Sequence, residues 1–300
     1  MGACASAREK MKQHQKNAPI IAKKMAKKMK AHAKDMHHKA KEHAAMMADK
    51  AHAATGRVSM EQPPTKQITQ FEFNLAFRNM KLDEFEKRVK KLVTADSENS
   101  VSIKQLQHSF KDAQGGFIDM TDEHTTLYKI MTSDSLKKDA DQDDLYVPYV
   151  ILLGILLCPA STNNRAQKFY SLLQFEMDGK ISSNDEDFND LFPKLLELAT
   201  SFIVDFYYDA NPQEQRAPIF EDMSTWSDQF EDVKSTFLDQ CFGSANQMDR
   251  EEFIQKMTTG DMSKWLNAQE LRLKVKKAVE DSGSAPQPDD ADADQGSDQQ

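Results

Sequence analysis

Four short polar stretches interrupt the central part of the chain, and each lies between segments whose apolar residues recur at helical spacing. Alternating β-branched sequence, the pattern of strands, is almost absent there. A helix-loop-helix unit that recurs four times is a repeat, and it restricts the fold that the chain can adopt. The sequence therefore predicts an all-α body of four such units in two lobes. The polar stretches lie within residues 92–106, 127–158, 168–188 and 237–257.

Composition changes at both ends of this body. Residues 1–57 carry 14 Lys and Arg against 4 Asp and Glu, whereas residues 58–300 carry 25 against 44. The last twenty residues hold six Asp and no bulky apolar side chain, so we expect them to be disordered. The predicted boundaries are a basic helical arm over 1–57, a linker over 58–65, lobes over 66–160 and 161–280, and an acidic tail over 281–300.

The arm is rich in Ala, Lys and Met, which are strong helix formers. Its apolar residues form a narrow stripe on a helical projection and lysines cover most of the rest, as in a long basic amphipathic helix. We expect contact with an anionic membrane, to which each lysine adds about 1 kcal/mol. A solvated single helix or a coiled coil is the alternative. The lysines assigned to the membrane are Lys23, Lys24, Lys27 and Lys28.

The chain begins MGACAS, which fits the pattern for N-myristoylation of Gly2 and places Cys4 where a palmitoyl group could be added. One myristoyl chain binds membranes only marginally, at roughly 0.8 kcal/mol per buried CH₂, so that a second signal is needed. We therefore expect a lipoprotein with lipid at both residues. The alternative is a small-residue start without consequence.

No apolar segment is long enough to cross a bilayer. The most apolar run, YVILLGILLC at 149–158, is about half the length of a spanning helix, which indicates a core helix. Three cysteines without metal spacing favour a reducing compartment, and no secretory signal sequence precedes the arm. We expect a protein that is not secreted and lies on the cytoplasmic face of a membrane.

The repeated unit resembles the EF-hand, in which a twelve-residue loop places oxygen ligands at positions 1, 3, 5, 7, 9 and 12, Gly at 6 and an apolar residue at 8. The third unit fits this frame with Gly179 at position 6 and Ile181 at position 8. The apolar eighth residues would pair two loops through a short β bridge. The ligand positions 1, 3, 5, 9 and 12 hold Gln174, Glu176, Asp178, Ser182 and Asp185.

The other units keep the frame with poorer ligands. The first has Asp96 and Glu98 at positions 3 and 5, Asn99 in place of Gly, Val101 at position 8 and Gln105 at position 12. The second is stretched between Met131 and Leu145. The fourth has Met248 at position 8 and Glu252 at position 12, but Cys241, Gly243 and Ala245 at positions 1, 3 and 5 offer no carboxylate. We expect no bound cofactor, or weak binding of Ca²⁺ or Mg²⁺.

The junction LLGILLCPASTNNRAQKFYSLLQFEMDGKIS is similar to that between the second and third EF-hands of neuronal calcium sensors and calcineurin regulatory subunits. The MGAC start resembles that of lipid-anchored flagellar calcium-binding proteins. The resemblance covers about residues 85–260. It implies a membrane-bound EF-hand-like adaptor whose grooves hold an amphipathic helix of a protein partner.

Two other functions stay open at this point: a structural component of a cilium, flagellum or other cytoskeletal assembly, and a true calcium sensor. Nucleotide-binding and hydrolase motifs are absent from the sequence, and the two acidic clusters within 139–144 and 184–190 lie in polar loops. We therefore expect no enzyme. The acidic body argues against a nucleic-acid partner.

Overall fold

The computed structural model of the chain describes residues 63–283, except 94–98, 112–116, 118–119, 121, 140 and 174–178. The chain divides into two units, Met1–Val58 and Ser59–Gln300, and every described residue belongs to the second. The predicted arm and the tail from residue 284 onward lie outside the described residues. The same holds for the predicted lipidation and membrane residues, namely Gly2, Cys4, Lys23, Lys24, Lys27 and Lys28.

Helices make up most of the described residues, which confirms the prediction of an all-α fold. The first half contains α1 (Pro64–Asn74), α2 (Leu82–Lys90), α3 (Ile103–Phe110), α4 (Thr126–Met131) and α5 (Val147–Leu157). The second half contains α6 (Thr162–Tyr170), α7 (Glu186–Glu197), α8 (Ile203–Ala210), α9 (Ser224–Ser227), α10 (Phe230–Phe242), α11 (Arg250–Met257) and α12 (Ala268–Asp281). Single 3₁₀ turns occur at Ala76–Asn79, Asp134–Leu136, Pro218–Phe220 and Gly260–Lys264.

The β structure of the described residues is confined to two short antiparallel pairs. Strand β1 (Ser100–Val101) pairs with β2 (Leu145–Tyr146), and β3 (Ile181–Ser182) pairs with β4 (Gln247–Met248). At most three residues separate each strand from the start of the next helix, so that each β pair joins two interhelical loops. The register places Val101 opposite Leu145 and Ile181 opposite Met248.

Helix α5 lies at the centre of the apolar core. All of its residues except Pro148 are buried, which confirms that this apolar run is a core helix. It packs against α2 on one side and α7 on another. Because buried side chains of both halves belong to one continuous cluster, α5 connects the two predicted lobes through the core.

A long helical run follows the third loop. Helix α7 contains Pro193 in its interior and passes through a π-helical segment, Leu198–Phe202, into α8. Proline removes one helical hydrogen bond, and π-helical turns are rare departures from α geometry. The Thr200 hydroxyl donates to the carbonyl oxygen of Leu196 at 2.6 Å inside this segment. Since α8 packs against α1 and α4, this run carries the second half of the chain onto the first.

The first and the last helix of the described residues, α1 and α12, are in contact through a buried ion pair. The Arg272 guanidinium donates to both carboxylate oxygens of Glu72, at 2.7 and 2.9 Å. It also donates to the carbonyl oxygen of Ala199 and to the Thr69 hydroxyl, at 2.8 and 3.2 Å. Arg272 is fully buried and Glu72 nearly so. The contact therefore joins α1, the π-helical segment and α12 at one point.

Candidate functional site

The candidate site is the set of paired loops, because these loops carry the predicted metal ligands. Two of them have the backbone conformation that the twelve-residue frame requires at position 6. Asn99 has φ 61° and Gly179 has φ 74°, and Asn99 is the one non-glycine residue with positive φ in the described part of the chain. Glycine and, less often, asparagine adopt this left-handed conformation at low cost. Both loops therefore make the sharp turn at the predicted residue.

The three residues assigned to position 8, namely Val101, Ile181 and Met248, all lie in the two β pairs. Val101 of the first loop faces Leu145 of the second, and Ile181 of the third faces Met248 of the fourth. In addition, the Val147 amide donates to the Asn99 carbonyl oxygen at 2.7 Å, next to the first pair. The loops thus associate in pairs through the residues that the frame selects.

The side chains at position 12 of loops one and four are hydrogen-bonded to their own loop. The amide of Ser102 donates to Gln105 Oε1 at 2.9 Å, and the amide of Asp249 donates to Glu252 Oε2 at 3.0 Å. The return bonds, in which the N-cap side chain accepts from the amide three residues on, are also present. These are capping boxes, which satisfy otherwise unpaired amides at a helix N-terminus.

In loop three, the residue at position 12 is also hydrogen-bonded to its own loop, but Asp185 is the N-cap residue of α7 and its side chain makes no cap hydrogen bond to that helix. Asp185 Oδ2 accepts a hydrogen bond from the Ser182 amide at 2.7 Å, and the Ser182 hydroxyl accepts from the Asn184 amide at 3.3 Å. The structure therefore brings together two of the predicted metal ligands. The remaining four, Asp96, Glu98, Glu176 and Asp178, lie outside the described residues. In three loops, the side chain at the predicted ligand position 12 accepts a hydrogen bond from the amide at position 9 of the same loop.

The second loop departs most from the twelve-residue frame. Residues 132–144, which include a 3₁₀ turn, separate α4 from β2, in agreement with the predicted stretch. Counting from Leu145 as position 8, position 12 falls on Tyr149, whose hydroxyl donates to Asp190 Oδ1 at 2.6 Å. Burial and this hydrogen bond raise the pKa of Tyr149 well above its ordinary value. Position 12 of the second loop is therefore occupied by a neutral phenol that is hydrogen-bonded to Asp190 of α7.

The fourth loop is shortened because α10 extends into it. Cys241, at position 1 of the frame, is buried in the last turn of this helix, and burial raises its thiol pKa to about 12. Gly243, with φ 58°, ends the helix. The first positions of this loop are thus part of the helix and its end.

Metal-ligating side chains do not converge among the residues that the structure describes. In that part of the chain, no three or more His, Cys, Asp and Glu residues lie close enough to hold a metal ion. The prediction of no cofactor or weak Ca²⁺ or Mg²⁺ binding stays a prediction, because four of the six candidate ligands are outside the described residues.

Apolar helix faces within the described residues are largely covered by other helices of the chain. Helix α12 packs against α7, α10 and the π-helical segment, while α1 packs against α8. Leu273 is the one large hydrophobic side chain that the described part of the chain leaves exposed. Most large apolar side chains of the described residues are therefore covered within the chain itself. The binding of an amphipathic helix of a protein partner stays a prediction.

Some residues that the sequence analysis did not single out lie in a recognisable local sequence pattern, and others do not. The spacings Ser102-x-x-Gln105 and Asp249-x-x-Glu252 are capping-box patterns and could have been recognised as such. Glu72 and Arg272 are 200 residues apart and show no local pattern.

In the described part of the chain, no helix combines the length and the apolar character that a membrane crossing requires.

Comparisons of the chain with protein-family models, with curated proteins and with solved structures gave no match.

Proposed function

We propose that the protein is a membrane-anchored, EF-hand-like adaptor with weak or absent calcium binding. The observation that carries the proposal is that the loops are joined in two β pairs, while the side chains at position 12 of three loops accept hydrogen bonds from the backbone of their own loop. In a calcium-binding EF-hand, that residue is a bidentate Glu. Here Gln105 is neutral, Asp185 is one methylene shorter than Glu, and Glu252 accepts from the Asp249 amide.

The caps also explain how such loops would hold their form without a metal ion. The capping boxes of loops one and four satisfy backbone amides at the start of α3 and α11, a role that typically contributes about 1 kcal/mol. The two β pairs then join the loops. In this proposal the helical frame serves as a scaffold for a protein partner, without catalytic activity and without binding nucleic acid.

Calorimetric titration of the full-length protein with Ca²⁺ tests the scaffold role. We expect no site tighter than about 10⁻⁴ M, and no change in helix content or dye binding when Ca²⁺ is added. Mg²⁺ at the same concentration is the matched control. A micromolar site, or exposure of apolar surface on adding Ca²⁺, would restore the calcium sensor and make Glu176, Asp178 and Asp185 the first residues to replace.

Membrane attachment is proposed from the sequence of the arm. Lipid on Gly2 and Cys4, together with Lys23, Lys24, Lys27 and Lys28, would hold the protein on an anionic cytoplasmic leaflet of a plasma, ciliary or flagellar membrane. Two lipid signals and a basic segment supply more affinity than the single chain that is insufficient alone.

Cell fractionation of Gly2→Ala and Cys4→Ser variants tests this attachment. Both variants are expected to move from the membrane fraction to the cytosol, with mass spectrometry of the native N-terminus as the direct control. Retention of Gly2→Ala on the detergent-insoluble cytoskeleton would favour the alternative of a structural component of a cilium, flagellum or other assembly.

A further inference from the structure

A pocket of about 510 Å³, open to solvent, lies where α7 meets α5, α9 and α10. Its walls include two aromatic rings, those of Tyr149 and Phe230, and both residues are buried. The polar lining comes mainly from α7 and the π-helical segment, through Asp190, Lys194, Glu197 and Ser201. The predicted metal ligands and lipidation residues do not line it.

Negatively charged side chains outnumber positively charged ones in the lining of the pocket. Two carboxylates, Asp190 and Glu197, face one ammonium group, that of Lys194. Lys194 Nζ lies 2.6 Å from Glu197 Oε2 and 4.9 Å from the centre of the Tyr149 ring. A second ammonium group lies next to the lining, because Lys234 Nζ donates to Asn189 Oδ1 at 3.1 Å, but it is paired with Glu231 at 2.6 Å. Within the described residues, Asp190 has no ion pair and accepts a hydrogen bond from the neutral Tyr149 hydroxyl at 2.6 Å, so that one carboxylate of the lining is without a paired cation.

The backbone adds a further acceptor to the lining. Pro193 lacks an N–H, so the carbonyl of Asn189, four residues earlier, loses the donor that an α-helix would supply. Both residues line the pocket. The hydroxyls of Ser201 and Ser227 can accept as well. The pocket is therefore rich in acceptors, and it suits a ligand that carries several N–H donors and a positive charge.

The tyrosines beside the pocket respond to the same negative field. Burial raises the pKa of Tyr149, and the carboxylates of Asp190 and Glu197 raise it further. The pKa of Tyr146 is also raised, by burial and then by the charges of Asp190 and Asp187.

We propose that this pocket binds a cationic side chain, a lysine-type primary ammonium, of a helical protein partner. The aromatic walls contact the aliphatic stem, while Asp190 and the carbonyl oxygen of Asn189 accept from the ammonium group. The inference rests on the adaptor role proposed above and specifies the chemistry of the partner. It also places the contact at a polar pocket, which α1 and α12 do not line.

The test uses n-butylammonium chloride, an analogue of the lysine side chain, added to full-length ¹⁵N-labelled protein. We expect saturable changes in the amide chemical shifts of residues around Asp190 and Lys194. Sodium butyrate, an anion of the same chain length, should leave these residues unchanged. Equal responses to both compounds, or changes spread over the whole protein, would overturn the proposal.

Charge variants give effects of opposite sign, which a general loss of stability cannot imitate. Asp190→Asn should weaken n-butylammonium binding on the order of tenfold, since a charge-assisted hydrogen bond is lost. Lys194→Gln should strengthen it, because the competing cation is removed. Glu251→Gln, an equal charge change at an exposed residue of α11 outside the pocket, should have no effect.

Unchanged binding in Asp190→Asn, or weaker binding in Lys194→Gln, would refute the site. The adaptor role is tested separately, by fractionation of the lipidation variants and by Ca²⁺ titration of the unmodified sequence. A failure of the pocket can therefore be distinguished from a failure of the proposed function.

Discussion

At the residue scale, the close packing of α5 against α2 depends on the absence of a side chain at Gly154. A Cβ atom at Gly154 of α5 would lie 2.6 Å from Cδ1 and 2.7 Å from Cε1 of Phe85 in α2. Phe85 cannot easily move, because its ring is buried and lies within 5.5 Å of the Phe110 ring and 5.7 Å of the Phe77 ring, between centroids. Glycine is thus required here by packing rather than by backbone conformation.

Gly154→Ala is expected to lower the free energy of unfolding by about 1–3 kcal/mol, the usual cost of overpacking a core. This cost exceeds the gain of roughly 0.5–1 kcal/mol that alanine brings to a helix interior. Urea unfolding followed by circular dichroism measures the difference. The double variant Gly154→Ala/Phe85→Leu should lose less than the sum of the single variants. A more stable Gly154→Ala protein would contradict the packing argument.

At the element scale, the loops and helix starts are defined by hydrogen bonds within a few residues. Ser102, Asp185 and Asp249 each occupy the N-cap position of the helix that leaves a loop. Asn99 turns the first loop and binds the start of α5 through its carbonyl oxygen. The cap hydrogen bonds of Ser102 and Asp249 fix where α3 and α11 begin, whereas the Asp185 side chain makes no cap hydrogen bond at the start of α7.

Asn99 offers a test of the turn. Asn99→Gly should change the free energy of unfolding little, because glycine adopts positive φ freely. Asn99→Val should cost about 1–2 kcal/mol, since a β-branched side chain is strained in the left-handed region. Urea midpoints of the two variants and the unmodified protein supply the comparison. Equal stability of the valine and glycine variants would show that the turn does not need this conformation.

At the scale of the whole molecule, α1 and α12 close the described body through Arg272 and Glu72. The ion pair is buried among the core contacts of α1, α12 and the π-helical segment. Removing one partner of a buried pair leaves an unpaired charge, whereas replacing both by apolar residues can be nearly neutral. The pair therefore connects α1 and α12, and replacing only one of its two residues is expected to lower the free energy of unfolding strongly.

Arg272→Met should lower the free energy of unfolding by about 3–5 kcal/mol, because Glu72 is left without its cation. The double variant Glu72→Leu/Arg272→Met should recover much of this loss. Lys276→Met, which removes the exposed pair with Glu280 on the same helix, is the control and should cost less than about 1 kcal/mol. Chemical unfolding of the four proteins decides the matter, and equal losses for Arg272→Met and Lys276→Met would exclude a special role for the buried pair.

Local patterns in the sequence were sufficient for part of this structure. Helical periodicity predicted the all-α fold, and an apolar run too short to cross a bilayer predicted the core helix α5. The frame of the repeat identified Asn99 and Gly179 as turn residues, and Val101, Ile181 and Met248 as pairing residues. These features depend on neighbours within about twelve residues, which is why the sequence alone determined them.

Tertiary structure decided what covers the helices and where polar groups find partners. Glu72 and Arg272 are 200 residues apart, and the pocket unites residues of α5, α7, the π-helical segment, α9 and α10. No periodicity indicates such contacts, because they arise from how whole helices pack. The burial of apolar faces by α1 and α12 likewise depends on the path of α7 and α8. A buried polar group is stable only when it is hydrogen-bonded, and the packing of the helices determines which partner lies within reach.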